Sequence, residues 1–168
     1  MTFDELKTLF DYNYWARDRL LEAVSGLSLE QFTRDLGNSF GSVRDTIAHI
    51  CDAESIWLSR WAGGQPTGFQ NPGRIHDVAA AREEWEELER KMRKILQEVG
   101  PEGVHHTMEY RDMRGAERSD VFWHMAQHVV NHGSYHRGQV TTMMRQLGAQ
   151  PPKSMDLIMF YREKQERA

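Results

Sequence analysis

The sequence predicts an all-α fold: a four-helix bundle with irregular connecting loops and a short C-terminal helix. Three observations carry this. Four long stretches repeat their apolar residues at helical spacing, and a capping residue or a glycine or proline marks their ends. The segments between them are too short or too rich in glycine and proline to hold a large sheet. The chain has 168 residues, enough for one sizeable core and too few for two, so residues 1–168 are expected to form a single domain.

Thr2-x-x-Glu5 is a capping box, and Phe3, Leu6, Phe10, Leu20 and Val24 follow at helical spacing until Gly26. Ser28-x-x-Gln31 opens a short second piece that fades at Gly37. Ser42 caps a longer helix through Trp61, with Val43, Ile47, Ile50, Trp57 and Trp61 as its apolar side. Gly63 to Gly73 is a loop by composition. Asp77 starts the third long helix, whose residues Val78, Ala81, Trp85, Leu88, Met92, Ile95 and Val99 form a narrow seam in alternating steps of three and four. Its other face carries Glu86/Arg90, Glu87/Lys91 and Glu89/Arg93, solvated i,i+4 pairs. Gly100-Pro101 closes it. Residues 104–118 hold a short two-stranded excursion, since His106, Met108 and Tyr110 alternate and Gly115 follows. The fourth long helix runs from Ser119 to Leu147, stopped by Gly148 and Pro151-Pro152, and Ser154 caps a last short helix.

The bulk composition excludes several functions. Hydrophobic residues make up 39% and charged residues 27%, with a net charge of −4. That is a soluble globular balance with no basic excess for nucleic acid, so no DNA or RNA partner is expected. No apolar run approaches a membrane span, and the first residues lack the basic and apolar regions of a signal peptide. Cys51 is the only cysteine, so no intramolecular disulfide or cysteine-based metal site can form. A cytoplasmic location is expected.

Histidine is the informative residue. His124, His128, His132 and His136 recur every four residues on the fourth helix. Such spacing stacks side chains a turn apart, close enough to share an ion. Against the apolar stripe of Phe122, Met125, Val129, Val140, Met143 and Leu147, His136 falls inside and His132 on the edge. His128 lies about a third of a turn away and His124 nearly opposite. His132 and His136 are therefore the ligand pair, His128 sits in a supporting or substrate-side position, and His124 is solvated. Two imidazoles hold a divalent ion weakly, so a third is sought on another helix. His76, His105 and His106 belong to loops. His49 sits within the second long helix beside Ala53 and Ile56; alone it would read as a core histidine, and beside an inward pair it reads as the third ligand. Asp45 and Asp52 lie a turn to either side of His49 and are placed to orient its ring, although a solvated helix face accounts for both equally well. Gly133 leaves room for a neighbouring helix or a ligand. Cys51 points to the far side of its helix.

A histidine in the second long helix, then His132-Gly-Ser-Tyr-His136-Arg137-Gly138-Gln139 and Leu147-Gly148 on the last, resembles the DinB/YfiT family. Asp11-Tyr12-Asn13-Tyr14-Trp15-Ala16 and Asp156-Leu157 are also similar to it, and the likeness covers essentially the whole chain. The resemblance implies a bundle, often dimeric, with a divalent metal held by three histidines, carried over as His49, His132 and His136. Gln139 of the His-Arg-Gly-Gln segment joins His128 and Asp52 as a residue expected to support the ligands. The family includes S-transferases and isomerases that use bacillithiol or mycothiol, together with stress-induced members.

The leading expectation is a metal-dependent S-transferase: three histidines leave a coordination position open for a small thiol, which attacks an electrophilic substrate. The alternatives are a metal-dependent hydrolase, which needs a carboxylate base such as Asp52 or Glu54, and a non-catalytic stress-related metal-binding protein. Zinc or nickel is the favoured ion, with iron or manganese next. Tyr135, Asn13 and Arg17 are candidate substrate contacts. A homodimer is expected, with its contact at Tyr12, Tyr14, Trp15 and Phe69.

Overall fold

The computed structural model describes residues 1–66 and 68–166; Thr67 in the expected loop and the last two residues lie outside them. Among the described residues the α-helices are α1 (Phe3–Val24), α2 (Leu29–Thr33), α3 (Val43–Trp61), α4 (Val78–Gly103), α5 (Phe122–Gln146) and α6 (Leu157–Glu166), with a 3-10 turn at Pro72–Arg74. A hairpin of β1 (Thr107–Arg111) and β2 (Glu117–Val121) precedes α5. The fold is the all-α bundle expected, built from α1, α3, α4 and α5.

The expected caps operate. Thr2 Oγ1 accepts from Glu5 N while Glu5 Oε2 accepts from Thr2 N, and Ser28 and Gln31 exchange the same pair of bonds. Ser42 and Asp77 accept from the backbone of the first turns of α3 and α4. The ends differ from expectation in three places. α5 begins at Phe122, not Ser119, because residues 119–121 complete β2, paired in register from Thr107↔Val121 to Arg111↔Glu117. With no side-chain cap, the start of α5 is held by Phe122 N to His106 O and Trp123 N to Val104 O. α6 begins at Leu157, and Ser154 folds instead onto Asp156, bonding both its backbone N and its carboxylate. α4 passes Gly100, which bends the chain at φ 60°, and continues for one more turn from Pro101.

Along α4 the buried residues are Ala81, Trp85, Leu88, Met92 and Leu96. The stripe slips by one residue after Met92, leaving Ile95 and Val99 half-buried. A straight helix drifts in this way against a strict seven-residue repeat. On the outer face Arg90 pairs with Glu87 rather than Glu86, while Glu87–Lys91 and Glu89–Arg93 form as expected.

α4 and α5 each pack against both α1 and α3, so α1 faces α3, and α4 faces α5, across the bundle's diagonals. The chain crosses one diagonal through α2 and the other through the hairpin, which is why these connections are long. Where the diagonals meet there is a polar knot. Glu54 of α3 is 1% exposed. Its Oε1 accepts from Asn13 Nδ2 of α1 at 3.0 Å and from Trp85 Nε1 of α4 at 3.1 Å. Its Oε2 accepts from Tyr14 OH at 3.4 Å. Asn13 Oδ1 in turn accepts from Arg137 Nη1 of α5 at 2.7 Å. Arg17 is also inside, donating to Trp85 O and paired with Glu89 and Asp18. Asn13 and Arg17 are thus structural, and the expectation that they meet substrate is corrected: both point into the bundle.

The aromatic residues of α1 are likewise spent within the chain. Tyr12 and Tyr14 are 8% and 2% exposed. Trp15 packs on Phe160 of α6 and donates to Glu163. Tyr12 and Tyr14 are therefore turned inward rather than toward the dimer contact expected there, Trp15 is half-buried, and Phe69, the fourth residue of that expectation, is exposed.

Removing the Glu54 carboxylate strands donors from α1 and α4 and leaves Arg137 with less compensation. Glu54→Ala is expected to lower unfolding free energy by about 3–5 kcal/mol in urea titrations, with Glu54→Gln milder. A loss below about 1 kcal/mol, the scale of an ordinary hydrogen bond, would remove the knot from its central role.

Candidate metal centre

The phase inferred for α5 is the one observed. His136 is buried, His132 and His49 are half-buried, and His124 is exposed, its ring against Trp123. His76, His105 and His106 are exposed. Three imidazoles converge: His132 Nε2 lies 3.1 Å from His49 Nε2 and 3.1 Å from His136 Nε2. Among the described residues these three form the group of ligand atoms, all within 4.8 Å of one another, that can hold a metal ion, and it contains no carboxylate.

Protons alone do not satisfy this cluster. His136 Nδ1 is 2.7 Å from Gln139 Oε1. A carbonyl oxygen only accepts, so Nδ1 carries the proton and His136 Nε2 presents a lone pair. A hydrogen on His132 Nε2 can serve one neighbour and not both. The three nitrogens instead suit a shared cation. Ligands 2.0–2.1 Å from a tetrahedral ion are about 3.3 Å apart, close to the spacing here. Burial, and then the other imidazoles, hold His49 down to about 4 and His132 down to about 3, and burial also lowers His136 against the help of Gln139. All three are neutral at pH 7, the form that ligates.

The walls are aromatic. Phe40 stacks on the His49 ring at 3.9 Å and meets His136 edge-on at 5.3 Å, while Phe69 covers His49 at 5.2 Å. Neither was identified from sequence as part of the site. Phe69, 58% exposed, is the lone aromatic of a Gly- and Pro-rich loop, which was a usable signal; Phe40, before the Ser42 cap, offered none. His128 sits beside the cluster, 5.9 Å from His132 and 5.6 Å from Trp57, outside the converging trio. The exposed Tyr135 ring lies 5.0 Å from His136.

Asp52 takes a different role from the one expected. Its Oδ1 accepts from Arg74 at 2.8 Å and its Oδ2 from Gln70 N at 3.2 Å, while Arg74 also grips Glu84 of α4. No hydrogen bond joins it to His49 among the described residues. It fastens the loop that carries Phe69. Asp45 pairs with Arg44. Cys51 is fully buried away from the cluster, and burial pushes its thiol well up. Gly133 has a packing reason: a Cβ there would lie 2.9 Å from Arg137 Nη1 and 3.1 Å from Asn13 Oδ1, so the Asn13–Arg137 bond passes over its bare Cα.

In metal-free protein the depressed histidines make folding acid-sensitive. As pH falls through about 6.5, the unfolded chain binds protons on these residues. The folded chain resists until about 4 for His49 and about 3 for His132. Stability is therefore lost across that window as pH drops. Urea unfolding from neutral pH to about 4.5 is expected to decline more steeply for the native sequence than for His132→Asn. Equal slopes would mean that the imidazoles are not desolvated.

Comparison with known proteins agrees with this architecture. The chain is 25% identical over 158 residues to Protein DinB of Bacillus subtilis, covering 90% of this chain and 92% of that one. Its fold matches the crystal structure of a DinB-like protein from Bacillus cereus with a TM-score of 0.69 at 16% identity, covering 91% and 97% of the two chains. The DinB family model matches residues 2–167, and the chain belongs to the DinB family.

Proposed function

We propose that this protein is a divalent-metal-dependent S-transferase, with His49, His132 and His136 as the metal ligands and a low-molecular-weight thiol as co-substrate. The observation that carries the reading is the convergence of three Nε2 atoms that hydrogen bonds among the three rings cannot all satisfy and that a shared cation would. Zinc or nickel suits such a donor set. When bound, the ion supplies Lewis acidity that keeps a coordinated thiol ionised near neutral pH.

The chain's own residues prepare the rest. Gln139 fixes the tautomer and angle of His136. Phe40 and Phe69 flank His49 with apolar surface that limits water around the open side. Cys51, a buried residue of α3 itself, takes no part. The lack of a carboxylate in the cluster favours thiol transfer over hydrolysis. Asp52 is tied to Arg74 and Gln70, and Glu54 to Asn13, Tyr14 and Trp85, so neither is free to act as base there.

Protein purified without a histidine tag is expected to carry roughly one divalent ion per chain by elemental analysis. His49→Ala, His132→Ala and His136→Ala should each remove most of it, together with thiol-dependent turnover of an electrophile such as a chlorodinitrobenzene. His124→Ala should leave both intact. Gln139→Ala is expected to weaken metal binding about 10–100-fold, with His128→Ala showing a partial loss. Full metal content without turnover by any small thiol would reject the transferase reading and keep the metal site.

A further inference from the structure

Arg60, in the last turn of α3, is 9% exposed. Among the described residues no hydrogen bond or ion pair reaches its guanidinium, and Nε is buried without a partner. The other interior arginines are provided for: Arg17 has Glu89, Arg74 has Asp52 and Glu84, and Arg137 has Asn13 and Ser134. Arg60 has aromatic faces instead, lying 4.6 Å from the Trp57 ring and 5.0 Å from the Tyr110 ring. Cation–π attraction offsets part of the lost hydration, and Asp112, the carboxylate whose charge reaches Arg60, is itself paired with Arg118, so the guanidinium has no counter-ion of its own. The carbonyl end of α3 favours positive charge and still gives this side chain no acceptor.

The guanidinium borders a cavity of about 500 Å³ between the end of α3 and the hairpin. Its other charged walls are largely neutralised: Arg111 pairs with Glu117, and Arg118 with Asp112. Glu109, exposed on the rim, makes no bond to Arg60. The missing element at Arg60 is an anion, and the space beside it admits a small molecule. We propose that this cavity binds a small carboxylate, its oxygens taken by the Arg60 guanidinium and its body packed along Tyr110. Planar guanidinium donors suit a carboxylate in this way. The proposal stands apart from the metal reading, since none of its residues belongs to the histidine cluster. The two sites are nevertheless neighbours: the Trp57 ring that lies against Arg60 also touches His128, which touches His132.

Calorimetric titration of the full chain, metal-free, with benzoate and with its uncharged analogue benzamide tests this. Benzoate is expected to bind saturably and benzamide at least tenfold more weakly. Arg60→Met should weaken benzoate at least tenfold, and Arg60→Lys should retain part of the affinity. Because Arg60→Met deletes an uncompensated charge, its melting temperature without ligand should be no lower than that of the native sequence. Benzoate should raise the melting temperature of the native protein alone. Absent benzoate binding, equal binding of the two probes, undiminished binding by Arg60→Met, or a marked drop in that variant's melting temperature would each overturn the assignment.

Discussion

A carboxylate with no water around it must receive its hydrogen bonds from the protein, and Glu54 draws them from two other helices at once. Asn13 and Tyr14 reach it from α1 and Trp85 from α4, while Arg137 of α5 is joined through Asn13. Hydrophobic burial would hold these four helices together in many rotations about their axes. The knot accepts one rotation for each, because leaving any of its members unpaired inside the core is costly.

That constraint positions the histidines. His136 and Arg137 are consecutive and so project about 100° apart on α5. Fixing Arg137 toward Asn13 turns His136, and His132 a turn below it, toward α3. His49 and Glu54 are five residues apart on α3 and so project about 140° apart, and anchoring the carboxylate at the centre sets the direction of the imidazole. The bare Cα of Gly133 lets the knot lie close against the helix that carries two of the three histidines.

Much of this was legible in the sequence because the signals were local. Thr2/Glu5, Ser28/Gln31, Ser42 and Asp77 announce helix starts through bonds that span three residues, and the phase of His132 and His136 follows from apolar neighbours on the same helix. What was misread depended on partners far away. Asn13 and Arg17 look like solvent-facing or ligand-facing interruptions of a seam until Glu54, Trp85, Glu89 and Arg137 are brought beside them. Tyr12, Tyr14 and Trp15 looked surplus because α6, which covers Trp15, lies at the other end of the chain. Ser119 looked like a helix start and Ser154 like a cap, yet pairing with β1 and a local bond to Asp156 claimed those segments first. Asp52 stood one turn from His49 as readily as it stood beside Arg74, and only the loop's path decides between them.

The sealed thiol has a chemical consequence. Alkylating agents and oxidants act on cysteine as its thiolate, and reach it only from solvent. The chain's single cysteine is fully buried, with burial resisting its ionisation. Reagents that permanently disarm cysteine-based catalysts therefore find no thiol to modify on the native protein's surface. Electrophiles that meet the folded protein leave its thiol untouched for as long as the core stays closed.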